Sequence, residues 1–68
     1  DGDPQLWRLV DTLPEKQRQA VVLFYQDDRP IEEIADMLGM PVNTVKTHLY
    51  RARARLAGEL DADKENAA

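Results

Sequence analysis

The chain has no cysteine, a single histidine, and no apolar run near the roughly 20 residues that a membrane span needs. Without thiols it can form neither a disulfide nor a thiolate metal site. One imidazole, His48, cannot build a multi-histidine metal centre or serve a cysteine nucleophile. Its three glycines form no Gly-rich phosphate loop, and no charged-then-apolar signal segment opens it. Asp27–Asp28 and Glu32–Glu33 are sequence neighbours, and adjacent helical residues do not share a face. They read as solvated surface rather than paired catalytic carboxylates. These absences point to a protein that is not an enzyme and uses no cofactor or metal. A soluble, cysteine-free chain with no membrane partner fits the cytoplasm. Asp1 in place of Met suggests a fragment or a processed product.

Excess positive charge is also missing. The net charge is −4, which argues against nucleic acid as a partner, because Lys and Arg supply the electrostatic part of DNA affinity. The distribution answers that objection. Residues 42–58 hold Lys46, Arg51, Arg53 and Arg55 and no acid, while acids outnumber bases on either side. Exposed charges further apart than about 10 Å are largely screened at moderate salt. A basic helix on an acidic body can therefore still present a positive face, although binding by the chain alone should be weak and salt-dependent.

What is present is helical periodicity. The 68 residues make one small domain, and chains this short bury only about 60% of their unfolded surface. Asp3 is an available N-cap and Pro4 a first helical residue. Leu6, Leu9, Val10 and Leu13 then form one stripe, with Trp7 off it, either covering the core edge or exposed as an anchor. Pro14 should end this helix and begin the next. The run AVVLFY at 20–25 could be a buried strand by composition, but its lead-in EKQRQ favours helix and no partner strand exists. Its inward stripe would be Leu13, Gln17, Ala20, Val21 and Phe24, leaving Val22 and Tyr25 partly exposed. After the polar turn QDDRP, where Asp28 caps or Pro30 starts the next helix, Ile31, Ile34, Ala35 and Leu38 repeat at i, i+3, i+4 and i+7. Glu32, Glu33 and Asp36 lie opposite, the first two suiting the positive end of the helix dipole. Gly39 fits a left-handed C-cap, and Pro41 starts the last helix.

On that last helix Val42, Val45, Leu49, Ala52 and Leu56 fall in one narrow sector. Asn43, Thr47, Tyr50 and Ala54 lie opposite, with Arg51 beside them; Lys46 and Arg53 take one flank, and Thr44, His48 and Arg55 the other. Two helices joined by a short Gly-containing turn make a helix-turn-helix, whose second helix enters the DNA major groove. The expected fold is all-α: a small four-helix domain over residues 1–60 with a C-terminal helix-turn-helix and no winged elements. Residues 61–68 read as a disordered polar tail. Asn43, Thr44, Lys46, Thr47, Tyr50, Arg51, Arg53 and Arg55 are the candidate DNA contacts. Arg51 is the favoured base reader, with Lys46, Arg53 and Arg55 better placed for phosphates. His48 should pack at the helix–helix boundary.

The stretches LPEKQRQAVVLFY at 13–25, IEEIADMLGMP at 31–41 and NTVKTHLYRARARL at 43–56 resemble region 4 of bacterial sigma factors, particularly the extracytoplasmic-function group. That resemblance implies recognition of the minus-thirty-five promoter element within RNA polymerase holoenzyme, docking on the flap of the polymerase β subunit, and an anti-sigma factor as a further candidate partner. It carries the family's readers onto Lys46, Thr47, Tyr50 and Arg51, in a monomeric module. Two departures stand out. DDRP replaces the usual glycine-containing loop, and Thr47-His48 replaces a Ser-Arg pair, removing a positive charge. The string TVKTHL also resembles the output domain of LuxR-type regulators, an alternative that would dimerise. That family begins with Leu-Thr and ends without RARARL, so sigma region 4 is the better match.

Overall fold

The computed structural model describes residues 4–67, with side chains through residue 59. Four α-helices follow one another: α1 Pro4–Asp11, α2 Glu15–Val21, α3 Ile31–Leu38 and α4 Val42–Ala67. A π-helical turn, Val22–Gln26, extends α2. No strand occurs among the described residues, so the all-α expectation holds and AVVLFY is helical.

Prolines set the helix starts. Pro4 is the first residue of α1, as expected; the proposed cap Asp3 lies outside the described residues. Pro14, Pro30 and Pro41 each sit one residue further out than a first helical position, because α2, α3 and α4 begin at Glu15, Ile31 and Val42. At Pro14 and Pro30 the backbone is extended, with ψ of 149° and 153°. The carbonyls of all three prolines accept the first helical N–H groups, such as Arg18 N at 2.9 Å, Ile34 N at 3.0 Å and Thr44 N at 3.0 Å. Proline thus caps with its carbonyl and fixed φ rather than a side chain. Asp28 is not the cap of α3; its φ of 55° puts it in the left-handed region, where the chain reverses. Asp tolerates that region better than most residues, which is how DDRP does without a glycine.

Gly39 closes α3 as its sequence position suggests, with φ 65° and ψ 41°. Gly39 N donates to Asp36 O at 3.3 Å and Met40 N to Ala35 O at 3.0 Å. These two bonds make a Schellman motif, which satisfies carbonyls that a helix end otherwise leaves open. Met40 beyond the glycine packs against the core, completing the motif's apolar contact.

The core consists of Val10, Leu13, Ala20, Val21, Ile34, Ala35, Val45, Leu49 and Ala52. Every helix contributes, and α4 touches each of the other three. The expected stripes hold: Val10 and Leu13 are buried, Ala20 and Val21 likewise, and Ile34 and Ala35 on α3. Trp7 is half-buried against the core, the covering role of its two readings.

Two features depart from expectation. First, α2 does not run on as a regular helix: Asp27 N reaches Val22 O at 3.1 Å, an i→i+5 bond. The wider turn lets three consecutive apolar residues, Val22, Leu23 and Phe24, all stay half-buried, which a 3.6-residue turn does less well. Second, the backbone beyond Asp61 is not the disordered tail expected; α4 continues to Ala67. No Gly or Pro follows Gly58 to stop it, and Glu, Ala, Leu and Lys are strong helix formers.

Gly39→Ala should destabilise the domain by about 1 kcal/mol in urea denaturation. A Cβ there meets nothing within 4 Å, so the cost is backbone strain alone. Ile34→Ala, at a fully buried position, should cost about 2–5 kcal/mol. Against a total on the order of 3–10 kcal/mol for a chain of this size, its circular dichroism melt should shift by many degrees or vanish.

Candidate nucleic-acid interface

The candidate interface is built on about the first four turns of α4. Buried Val45, Leu49 and Ala52 form one face of this helix. Geometry then requires residues rotated half a turn away to face outward. Asn43, Lys46, Thr47, Tyr50, Arg51, Ala54 and Arg55 are all exposed. Tyr50 is 72% exposed, the largest value among the big apolar side chains. An aromatic ring left in water at that level contributes nothing to the fold and is available to a ligand. The Gly39–Pro41 turn places this face at the start of a helix whose first turn carries no acid.

The individual side chains differ in availability. The Thr47 hydroxyl donates back to Asn43 O at 3.0 Å, a common use of a helical threonine. That bond fixes the rotamer and leaves the oxygen lone pairs and the methyl for a ligand. Lys46, Arg51 and Arg55 project from an acid-free stretch of helix. Thr44 is half-buried and so presents less surface than its position on the flank suggests. The His48 ring is half-buried, with Nδ1 shielded from solvent, in keeping with packing at the helix boundary.

Arg53 differs most from the sequence reading. Its guanidinium does not reach away from the body as a free phosphate contact would. Nε donates to the Tyr25 hydroxyl at 2.5 Å, and the guanidinium lies 5.8 Å from the Phe24 ring centroid and 5.6 Å from that of Tyr25. The two rings meet edge to face, 4.9 Å apart at 86°. On the wheel Arg53 sits on the flank nearer the buried sector, so the adjoining helix end intercepts it. Tyr25 and Phe24 are the residues that sequence reasoning missed here. Their only signal was two aromatics ending an apolar run, and nothing in that run pointed to a residue 28 positions on.

Beside this contact lies an apolar groove of about 340 Å³ between α1, the α2 extension and α4. Leu6, Trp7, Val21 and Leu56 line it, with Tyr25 and Arg53 at its rim. Arg29 bonds Glu33 at 3.0 Å, but both groups are exposed and such a pair contributes little.

The face assignment can be checked by paired substitutions. Tyr50→Ala should change stability by no more than about 0.5 kcal/mol, as surface changes do. Leu49→Ala, one residue earlier and buried, should cost about 2–5 kcal/mol in the same denaturation assay.

Comparison with known proteins fits this geometry. The model for sigma-70, region 4, matches residues 4–56, spanning all four helices up to the last basic turn of α4. RNA polymerase sigma factor SigV of Bacillus subtilis is 42% identical over 50 residues, which is 74% of this chain and 30% of that protein. The ECF RNA polymerase sigma factor SigW of the same organism is 44% identical over 48 residues, 71% of this chain and 26% of its own length. The RNA polymerase sigma-E factor of Streptomyces coelicolor is 46% identical over 57 residues, covering 84% of this chain and 32% of that factor. The chain thus spans about a third or less of the relatives it matches. None of these similarities favours the LuxR-type alternative. With a matched segment that begins at α1 and ends on the basic helix, the chain belongs to the sigma-70 region 4 family, among the extracytoplasmic-function sigma factors.

Proposed function

We propose that this domain recognises the minus-thirty-five promoter element for an alternative sigma factor, acting by binding and not by catalysis. The observation that carries the reading is the exposed, acid-free face of α4 opposite its buried stripe, presented directly after the Gly39 turn. Arg51 reads a base edge in the major groove, where a guanidinium donates two hydrogen bonds to guanine. Asn43, Thr47 and Tyr50 complete the reading surface; the Thr47 methyl and the Tyr50 ring suit a thymine methyl. Lys46 and Arg55 hold phosphates, and Thr44 contributes at the flank. Arg53, bonded to Tyr25, supports the helix instead of joining the phosphate contacts.

The domain works as a monomer in the cytoplasm, carried by core RNA polymerase. Few phosphate contacts on an acidic body predict weak, strongly salt-dependent binding by the chain alone, which low salt brings within reach of an assay. The apolar groove with Trp7 in its wall is the proposed seat for the β flap, and an anti-sigma factor is a competing occupant of the same surface.

The test begins with a duplex that the chain itself selects from a randomised pool, assayed by fluorescence anisotropy against a scrambled duplex. Arg51→Ala should cost about 1–3 kcal/mol on the selected duplex and relax the choice at one base pair. Lys46→Ala should weaken both duplexes alike and lower the salt slope by about one. Failure to enrich any sequence would overturn the promoter reading. Titration with a fragment carrying the β flap should change Trp7 fluorescence, and a flat signal would remove the groove from the docking role.

A further inference from the structure

We propose that Tyr25 is a positioning residue for DNA reading: through Arg53 it sets the rotation of α4 about its own axis. The inference rests on the promoter-reading assignment above and adds a residue that lies off the reading face.

The buried side of α4 is Val45, Leu49 and Ala52, a ridge of small and medium apolar groups. Apolar burial is non-directional, so such a ridge holds the helix against its neighbours more firmly than it fixes its angle. A hydrogen bond is directional and weakens steeply when misaligned. The Arg53 Nε to Tyr25 hydroxyl bond is such a restraint, joining α4 to the end of α2 across 28 residues of sequence. The guanidinium carbon also lies 5.8 Å and 5.6 Å from the Phe24 and Tyr25 ring centroids, within cation–π reach.

The π-turn carries the Tyr25 end of the bond. Its i→i+5 bond at Val22–Asp27 widens the helix, and Tyr25 emerges 49% exposed with its hydroxyl on Arg53. Arg53 lies one heptad after Lys46 and within a turn of Tyr50 and Arg51, so any rotation it prevents would displace those groups from the groove floor. Base reading tolerates little displacement, whereas phosphate attraction is long-ranged and forgiving.

That difference gives the experiment. Tyr25→Phe keeps both rings and removes only the hydroxyl; Arg53→Lys keeps the charge and removes the fork. Both variants of the full chain are assayed below their melting temperatures on the self-selected duplex and a scrambled duplex, over a salt series. The expected result is a fall of about threefold to tenfold in the ratio of selected to scrambled affinity, the worth of one net hydrogen bond. Scrambled affinity and its salt slope should stay unchanged. An unchanged ratio in both variants would overturn the inference, as would parallel loss on both duplexes, which indicates less folded protein. Tighter binding with a steeper slope for Tyr25→Phe would show that the hydroxyl withholds Arg53 from phosphate, and would overturn it too. Should the wild-type chain select no sequence, the promoter reading fails and the inference falls with it.

Discussion

The burial of one side of α4 is the constraint on which the rest of the structure depends. Val45, Leu49 and Ala52 are each exposed by 2% or less, and the helix touches all three of the others. With α2 and its π-turn, α4 ties α1 and α3 into one core. In a chain this small one helix is therefore both the spine of the core and the surface proposed to meet DNA. The two duties are separated by rotation alone. Through Arg55, a narrow sector of α4 is apolar and covered, and the rest of its circumference is basic or polar and free of acids.

That economy explains how the remaining elements are arranged. The Gly39 turn joins α3 to α4 through a left-handed residue that most side chains would strain. α3 then holds α4 through Ile34 and Ala35, while α1 and α2 close the other side. The described acidic residues lie on α1, α2, α3, the Asp27–Asp28 turn and the far part of α4, all outside the 42–58 stretch that carries the basic face. Net negative charge and a locally basic helix face coexist because screening makes the local charge the one that matters over a few ångströms. The cost is affinity. A domain with so few phosphate contacts is suited to acting inside a larger assembly, and the apolar groove beside Trp7 offers a place to hold it there.

Much of this was legible in the sequence. The stripes Leu9–Val10–Leu13, Ile31–Ile34–Ala35–Leu38 and Val45–Leu49–Ala52 follow from 3.6-residue periodicity, because a helix facing a single core repeats its apolar positions at that spacing. Gly39 announced its own conformation. The outward positions of Lys46, Thr47, Tyr50 and Arg51 followed by subtraction once the inward face was known. Prolines marked the helix starts to within one residue; the shift arises because their carbonyl serves as the cap, which residue type alone does not reveal. The helical course of α4 past Asp61 was missed because a polar segment without a stripe looks unstructured when packing is the only criterion, although its helix formers and lack of breakers sufficed to continue it.

The sequence by itself determined which residues are apolar, at what period they recur and where the backbone must turn, and these local properties set four helices and the face each one buries. Only the tertiary structure decided the π-turn at Val22–Gln26, the left-handed Asp28 and the fate of Arg53. Each depends on how segments distant in sequence meet. In sequence Arg53 was one of three cations placed for phosphates, and it parted from Lys46 and Arg55 when the end of α2 brought a hydroxyl and two aromatic rings to its side of α4. Periodicity carries the direction in which a side chain leaves its own helix, but contains nothing about what stands in its way.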